Sequence, residues 1–597
     1  MRKLIVTLAY TGLIVFNPFL FSFGQKPLTT SGNPELMPMS SYDSLKLSQL
    51  PVLKLPDEAT RRLLPYAVDN SGKPWFRPLI AQVGLECGQA SSIGVVFTYE
   101  MNYARNVPGN LPENQYATHF AYNFVNNGGD AGVSFFETFE IVRQAGNPSV
   151  ADYGGMSAGG ATRWMDGYDL YYNAMHNRID GVYSIRVNTI DGLQTLKNWI
   201  YDHGNGSSAG GLGCFYAEFT HPAAFLPEGT PEAGKHVIYA WGNSSNHAMS
   251  IVGYNDSIRW DYNNDGQYTN NIDINSDGLV DLRDWEIGGF KMANTYGSIS
   301  GWGDNGFSYM MYKSVADQFQ QGGIWNNTVV VPYVRDNHEP QLTAKVSLSY
   351  PCRDLLRVMA GVSSDPEATE PDHILHYPIF DFQGGCNPMQ GSSGPQSIEF
   401  GLDLNLLLQY INPGEEAKFF ILVQENDPLG SQTGTLESFA LVDYTNGGAV
   451  INSQISELPL VNDNITMAGV NAIVNFDPVL VTTSDLPPVQ IYSNYSSTLQ
   501  AEGGTPPYRW NLVEDYTRFD STSVMPQITS QLLQLSSNSN GKAKVDLPFT
   551  FPYFGQNYSE VYATSDGYLM FENSLLPWPY YIEGRTYFIQ TPMIAPS

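Results

Sequence analysis

The sequence predicts a multidomain protein in which an α+β domain is followed by all-β modules. The chain has 597 residues, more than one hydrophobic core normally organises. Residues 64–335 mix helical and strand patterns with glycine-rich turns. Residues 336–484 instead show alternating strands, for example 345–350 and 418–423, which predict a β-sandwich.

The N-terminal segment is typical of a signal peptide. Arg2 and Lys3 precede an almost wholly apolar run over residues 4–23. We expect residues 1–25 to be removed on export and the polar, proline-punctuated residues 26–63 to form a linker or short pro-segment. The alternative is a membrane anchor. No later apolar stretch is long enough to span a bilayer, so we expect no membrane span after signal cleavage.

The composition is strongly acidic and poor in cysteine. Lys and Arg total 30 against 59 Asp and Glu, a formal net charge of −29. That charge repels phosphate backbones, so we expect no nucleic-acid partner, and it suits an extracellular protein with calcium sites. Four cysteines are too few for a disulfide scaffold in a chain of this length. Cys352 and Cys386 lie in the same later module and could pair.

The first candidate catalytic residues are Cys87 and Gln82. Cys87 precedes a helical pattern, and a thiol at a helix start feels the positive end of the helix dipole, which favours the thiolate. Gln82 lies five residues upstream and could direct its side-chain amide at an oxyanion. Alone, the pattern fits a small buried thiol at a helix start equally well.

His247 and Asn294 complete a candidate triad. His247 opens an apolar strand that ends in Gly253 and Tyr254, and such a histidine can act as general base to a thiol. Asn294 ends another strand pattern and could orient the imidazole. Segments of these three kinds in the order Cys, His, Asn indicate nucleophilic cysteine chemistry.

These segments resemble the papain family of cysteine peptidases. Residues 246–254 and 301–307 resemble its His motif and the motif after its Asn, and residues 64–69 resemble its mature N-terminus. Gly128 and Gly129 resemble its pair of glycines that bind the substrate backbone.

The resemblance covers about residues 64–312. It implies a two-lobed fold, with a helical lobe, a β-barrel-like lobe and a cleft between them. It also implies a peptide or protein substrate, attack by a cysteine on the peptide carbonyl, and no catalytic cofactor. The predicted function is therefore that of a secreted papain-like cysteine peptidase.

One departure from the family leaves two alignments open. The family pattern is Cys-Gly-Ser-Cys-Trp, and an ungapped alignment places Ala90 at the nucleophile position. That alignment predicts an inactive pseudopeptidase acting as a peptide-binding or adhesive surface protein. The other alignment makes Cys87 the nucleophile after one upstream deletion, a spacing similar to that of bacteriocin-processing peptidases. We favour it because Cys87 has no cysteine before Cys214 with which to form the family's disulfide, and because Gln82 is too far from Ala90.

An acidic insert, about residues 256–286, separates the His and Asn segments. Its second half fits a twelve-residue calcium loop, with oxygen ligands at positions 1, 3, 5, 9 and 12 and Gly278 at position 6. Its first half begins twelve residues earlier and is weaker because Ile272 holds the last position. The alternative is a pair of acidic turns without metal. The predicted ligands of structural Ca²⁺ are Asp273, Asn275, Asp277, Asp281 and Asp284 in the second loop, and Asp261, Asn263 and Asp265 in the first.

The C-terminal tail is predicted to carry further β modules. Residues 499–512 resemble the immunoglobulin-like repeats of bacterial surface proteins, which places such a repeat at 485–525. Residues 526–597 predict another β module, which we expect to be truncated. We expect the tail to bind a cell surface or glycans, and the protein to be secreted or held at the cell surface of a bacterium.

Overall fold

The computed structural model describes residues 39–56, 63–298, 301–483, 499–503, 542–553, 556–564, 569–570 and 593–594. The predicted signal peptide and most of the predicted immunoglobulin-like repeat lie outside these residues. The chain divides into one compact unit over 27–510 and another formed by 1–26 and 511–597. Within the described ranges, no helix combines the length and apolar character needed to cross a membrane.

All the described α-helices except Tyr312–Ala316 lie before residue 203, and local capping sets the ends of Ile190–Asp202. The Thr189 hydroxyl accepts the Gly192 N–H where Ile190–Asp202 begins, and His203 ends that helix in the left-handed conformation at φ 56°. The π-helix Ala90–Phe97 joins Cys87–Gln89 to Thr98–Arg105 in one helical run, residues 87–105. The described α-helices are Ser41–Gln49, Cys87–Gln89, Thr98–Arg105, Thr118–Val125, Phe135–Ala145, Val150–Tyr153, Tyr168–Met175, Ile190–Asp202 and Tyr312–Ala316.

A nine-stranded mixed sheet stands beside these helices. Its strands are β1 (Ala67–Asp69), β2 (Arg178–Arg186), β3 (Gly213–Ala217), β4 (Ala223–Phe225), β5 (His236–Ile238), β6 (His247–Arg259), β7 (Ile287–Ala293), β8 (Phe307–Met311) and β9 (Thr328–Arg335). Their order is β2-β9-β3-β6-β7-β8-β5-β4, and β1 also pairs with β6. The long strand β6 is therefore central. Its antiparallel register with β7 pairs Ser250 with Ala293 and so brings the two candidate triad strands together.

The following region forms two antiparallel sheets. One has the order β13-β10-β15-β16 with β17 on β15, and the other has the order β12-β11-β14-β18. Apolar residues of both sheets share one core, as in a β-sandwich. The strands are β10 (Leu342–Ser349), β11 (Leu356–Ser363), β12 (His373–Asp381), β13 (Ser397–Asp403), β14 (Glu416–Glu425), β15 (Thr435–Asp443), β16 (Ala449–Asn452), β17 (Leu458–Pro459) and β18 (Ile465–Ile473).

The sandwich packs directly on the helices, and one apolar core contains residues of both. The Phe380 ring lies 5.5 Å from that of Phe124 between centroids. A buried ion pair, 2.5 Å between Arg178 and Asp403, ties β2 to β13. Burial acts to raise the pKa of Asp403, but the charges of Arg178 and His338 outweigh it and bring this pKa to about 2. The helices, the nine-stranded sheet and the sandwich thus form one packed body.

Two smaller pieces complete the described strands. Leu480–Val481 pairs with Ala501–Glu502 in the larger unit. In the other unit, Lys542–Tyr553 and Gln556–Thr564 form an antiparallel hairpin, and two short strands extend it. These short strands are Leu569–Met570 and Met593–Ile594.

Candidate active site

Cys87 begins the 87–105 helical run and faces the start of β6. Its thiol forms a hydrogen bond with the backbone N–H of Ala248, the residue after His247. The residue keeps some exposed surface, yet burial raises the pKa of the thiol to about 11, against the opposing effect of the Ala248 N–H. The expectation that the helix start would favour a thiolate is therefore wrong for this state, because desolvation outweighs the backbone N–H groups that favour the charged sulfur.

His247 is fully buried at the first position of β6. Its Nε2 lies 2.8 Å from Asn294 Oδ1, and its Nδ1 has no hydrogen-bond partner among the described residues. The Tyr296 ring stacks on the imidazole at 5.0 Å between centroids. Burial lowers the pKa of His247 to about 4, although the Asn294 hydrogen bond acts in the opposite direction. The histidine is consequently neutral.

Asn294 decides which nitrogen of His247 carries the proton. It follows the last residue of β7, and its Oδ1 accepts the Thr295 N–H at 2.7 Å as well as contacting His247. Because that oxygen is an acceptor, His247 Nε2 must be the donor, and Nδ1 is then the unprotonated nitrogen. The imidazole is thus held at one nitrogen and carries an unprotonated lone pair at the other.

Gln82 lies beside the same segment. Its backbone N–H donates to Thr295 O at 2.8 Å, and its Oε1 accepts the Thr295 hydroxyl. Its Nε2 donates to Gly84 O at 2.8 Å, which leaves the second Nε2 hydrogen for another acceptor. The structure therefore brings Gln82, Cys87, His247 and Asn294 together through Thr295 and Ala248.

Ala90 lies inside the helical run with no exposed surface. The neighbouring Ser91 Oγ lies 2.9 Å from Ser250 Oγ, so the run is attached to β6 one turn beyond Cys87. Cys87 contacts Ala248, and Ser91 contacts Ser250. A step of four residues along the helical run thus corresponds to a step of two residues along β6. In this register Cys87 contacts the residue that follows His247, whereas Ala90 is enclosed within the helical run.

The glycine pair lies where the sandwich contacts the helical region. A Cβ on Gly128 would lie 2.5 Å from Gly384 O, so Gly128 is closely packed against the sandwich. Gly129 has open space at the same position. The contacting loop is anchored by a disulfide between Cys352 and Cys386. Of the two predicted substrate-binding glycines, only Gly129 has open space where a side chain would lie.

Three residues near the site, Glu86, Asp130 and Tyr296, were not predicted from the sequence. Glu86 is fully buried, and its Oε1 accepts the Val83 N–H at 2.9 Å. Burial raises its pKa, although the nearby His119 acts to lower it. Nothing in the sequence signals that a glutamate before the cysteine is buried. Tyr296 could have been found, because an aromatic residue two positions after Asn294 is placed to cover the imidazole.

The insert contains two loops with the same local hydrogen bonds. Asp261 Oδ2 accepts the Gly266 N–H at 2.9 Å, and Asp273 Oδ2 accepts the Gly278 N–H at 2.9 Å. The side chains at positions 3 and 5 of both loops also accept hydrogen bonds in the same way. Each accepts the backbone N–H of the residue two positions later: Asn263 and Asp265 in the first loop, Asn275 and Asp277 in the second. The twelve-residue repeat seen in the sequence is thus also a structural repeat.

The loops differ in the carboxylate that closes them. In the second loop, the buried Asp284 accepts the N–H groups of Ile274 and Asp281, at positions 2 and 9, at 3.1 and 2.9 Å. In the first loop, the buried Glu286 accepts those of Tyr262 and Thr269, again positions 2 and 9, at 2.8 and 3.0 Å. Glu286 therefore supplies the closing carboxylate that Ile272 cannot. It was not predicted from the sequence because it lies outside the twelve residues of the loop.

Two acidic side chains of the second loop already pair with a positively charged side chain. Arg283 Nη2 lies 2.6 Å from both Asp277 and Asp281. In the first loop, Asp261 Oδ1 is buried without a hydrogen-bond partner in the described part of the chain. Within the described ranges, no three acidic ligand atoms of the insert lie within 4.8 Å of one another. The donor types fit a hard cation, and binding requires the loops to contract.

Several solved structures are similar to part of this chain. Procathepsin L2 from Tenebrio molitor larval midgut has 16% identity and a TM-score of 0.32, over 50% of this chain and 77% of that one. Procathepsin B from Trypanosoma congolense has 14% identity and a TM-score of 0.29, over 48% and 84%. The bromelain protease from Ananas comosus has 13% identity and a TM-score of 0.29, over 45% and 99%. These neighbours are papain-like cysteine peptidases or their precursors, and the similarity is partial.

The sequence comparisons concern the C-terminal region. A protein-family model described as NIDO related matches residues 514–596. No curated protein matches the chain in sequence.

Proposed function

We propose that this protein is a secreted cysteine peptidase that hydrolyses peptide bonds with Cys87, His247, Asn294 and Gln82. The observation that carries the proposal is the state of His247. Its Nε2 is held by Asn294, while its buried Nδ1 is unprotonated and has no other partner among the described residues, and the next residue, Ala248, contacts the Cys87 thiol. An imidazole held in this way is suited to take a proton from the thiol.

The chemistry follows from these contacts. The Cys87 proton passes to His247 Nδ1 as the sulfur attacks the substrate carbonyl carbon. The second Nε2 hydrogen of Gln82 stabilises the oxyanion. The imidazolium then gives its proton to the departing amine, and water hydrolyses the thioester with His247 again acting as base. Because the resting pair is neutral, proton transfer must accompany substrate binding rather than precede it.

Labelling with a peptide bearing a thiol-reactive electrophile tests this role. The full chain should form an adduct at Cys87 and not at Cys214, which is buried in β3. Mass spectrometry locates the adduct, and hydrolysis of a quenched fluorescent peptide measures turnover. His247→Ala should lower the rate by about 10² to 10⁴-fold, the usual contribution of a general base. Cys214→Ala is the matched control and should keep the wild-type rate.

A folded protein without an adduct at Cys87 would overturn the proposal. Peptide binding without cleavage would then favour the pseudopeptidase alternative. Without an external electrophile, alkylation by iodoacetamide should be slow at neutral pH and rise as the pH approaches about 11, because burial raises the pKa of Cys87. Alkylation that is already maximal at pH 7 would contradict the neutral resting pair.

We further propose that the insert binds calcium. The supporting observations are the two matched loops, the buried closing carboxylates Asp284 and Glu286, and the unpartnered Asp261 Oδ1. The cation would neutralise these carboxylates and stabilise the connection between β6 and β7, the strands that carry His247 and Asn294. We also propose export from a bacterial cell, with the tail binding a cell surface or glycans.

A further inference from the structure

The loop between Gln82 and Cys87 contains a peptide group held from both sides. The Gly84–Leu85 peptide donates its N–H to Asp130 Oδ1 at 2.7 Å. Its carbonyl accepts the Gln82 Nε2 hydrogen at 2.8 Å. Because a trans peptide is planar, its N–H and C=O point in opposite directions. Fixing the N–H therefore also fixes where the carbonyl points.

Asp130 is itself held in place. The same Oδ1 atom accepts the hydroxyl of Tyr122, a fully buried residue of Thr118–Val125, at 2.9 Å. The carboxylate fills the space next to Gly84, where a Cβ would lie 2.3 Å from Oδ1. Gly84 also has φ +73°, a conformation that glycine adopts without strain. The loop and the carboxylate thus fit one another closely.

We propose that Asp130 is a positioning residue for the oxyanion donor: through the Leu85 N–H it orients the Gly84 carbonyl, which orients the Gln82 carboxamide. Thr295 holds the other end of that carboxamide, since its hydroxyl donates to Gln82 Oε1. Because both ends of the carboxamide are held, the second Nε2 hydrogen of Gln82 points in a single fixed direction. This inference rests on the proposed peptidase function and assigns Asp130 no contact with the substrate.

Steady-state kinetics on the full chain test the proposal. Asp130→Ala should lower kcat about tenfold, less than the 10² to 10³-fold loss typical of removing an oxyanion donor, with KM changed less than about twofold. Asp130→Asn keeps an acceptor oxygen for Leu85 and Tyr122, so it should restore kcat to within about threefold. Asp365→Ala removes an exposed aspartate that accepts a turn N–H in the sandwich, and serves as the control.

A double-variant cycle separates positioning from general damage. In a Gln82→Ala background, Asp130→Ala should change kcat less than about twofold, because the group it positions is gone. Iodoacetamide alkylation of Cys87 creates no oxyanion, so Asp130→Ala should not change its rate. A full tenfold loss in the Gln82→Ala background, or an unchanged kcat in Asp130→Ala alone, would overturn the proposal.

A spectroscopic readout keeps the inference independent of turnover. With ¹⁵N-glutamine labelling, the Gln82 side-chain amide should give two well-separated proton resonances that Gln82→Ala removes. Asp130→Ala should bring them together and speed their exchange with water, and Asp130→Asn should not. If the wild type has no peptidase activity, the proposed function fails, and these resonances still decide whether Asp130 orients Gln82. Unchanged resonances in Asp130→Ala would reject that role.

Discussion

The two loops of the insert share a backbone pattern and differ in how they are closed. The loop of residues 273–284 carries its closing carboxylate, Asp284, at its own twelfth position. The loop of residues 261–272 has Ile272 there and uses Glu286 from outside the repeat. The comparison shows that a motif judged incomplete in sequence can be completed in space, because β7 begins at Ile287 and brings Glu286 back to the first loop.

The largest expected effect comes from removing a closing carboxylate. Glu286→Ala leaves the N–H groups of Tyr262 and Thr269 unsatisfied, and we expect a loss of about 2–4 kcal/mol in the free energy of unfolding. Asp284→Ala should cost a similar amount if the two carboxylates are equivalent. Urea denaturation followed by tryptophan fluorescence measures both. The exposed Asp265 provides the control, since Asp265→Ala should cost less than about 1 kcal/mol. If Glu286→Ala costs no more than Asp265→Ala, Glu286 does not close the first loop as Asp284 closes the second.

Calcium should raise the melting temperature of the protein. At a free calcium concentration of about 100 times Kd, linkage predicts about 2.7 kcal/mol of added stability for one site. Thermal melts with calcium and with a chelator measure the shift. Glu286→Gln should remove the calcium-dependent stabilisation that comes from the first loop. Asp284→Asn should remove that of the second loop. Identical midpoints for the wild type with calcium and chelator would remove the metal proposal.

The smallest expected effect concerns Arg283, which distinguishes the second loop from the first. Its guanidinium pairs with Asp277 and Asp281, so a cation must displace it. Arg283→Gln should tighten calcium binding about three- to tenfold, the equivalent of roughly 1 kcal/mol for a partly exposed pair. Calorimetric titration measures this change, with Arg186→Gln, at the exposed end of β2, as a matched loss of charge outside the insert. Weaker binding in Arg283→Gln would show that the arginine supports the loop instead of competing.

The residues of the candidate active site could be predicted from the sequence, but their protonation states could not. Cys87, His247 and Asn294 could be named because each stands at the start or end of a helix or strand pattern, and Gln82 because it lies five residues before Cys87. Their protonation could not, since burial by distant segments decides it: the pKa of the Cys87 thiol rises to about 11 and that of His247 falls to about 4. Asp130 was not predictable either, because its partner Leu85 lies in a different segment of the chain.

The sequence by itself determined the local features of this protein. The strand pattern after residue 336, the candidate triad residues and the twelve-residue repeat of the insert are all set by neighbours within a few positions. Tertiary structure decided that Glu286 closes the first loop, that Asp130 holds the Gly84–Leu85 peptide and that Cys87 is neutral. The physical reason is that hydrogen bonding and desolvation depend on which groups meet in space, and here those groups come from separate segments of the chain.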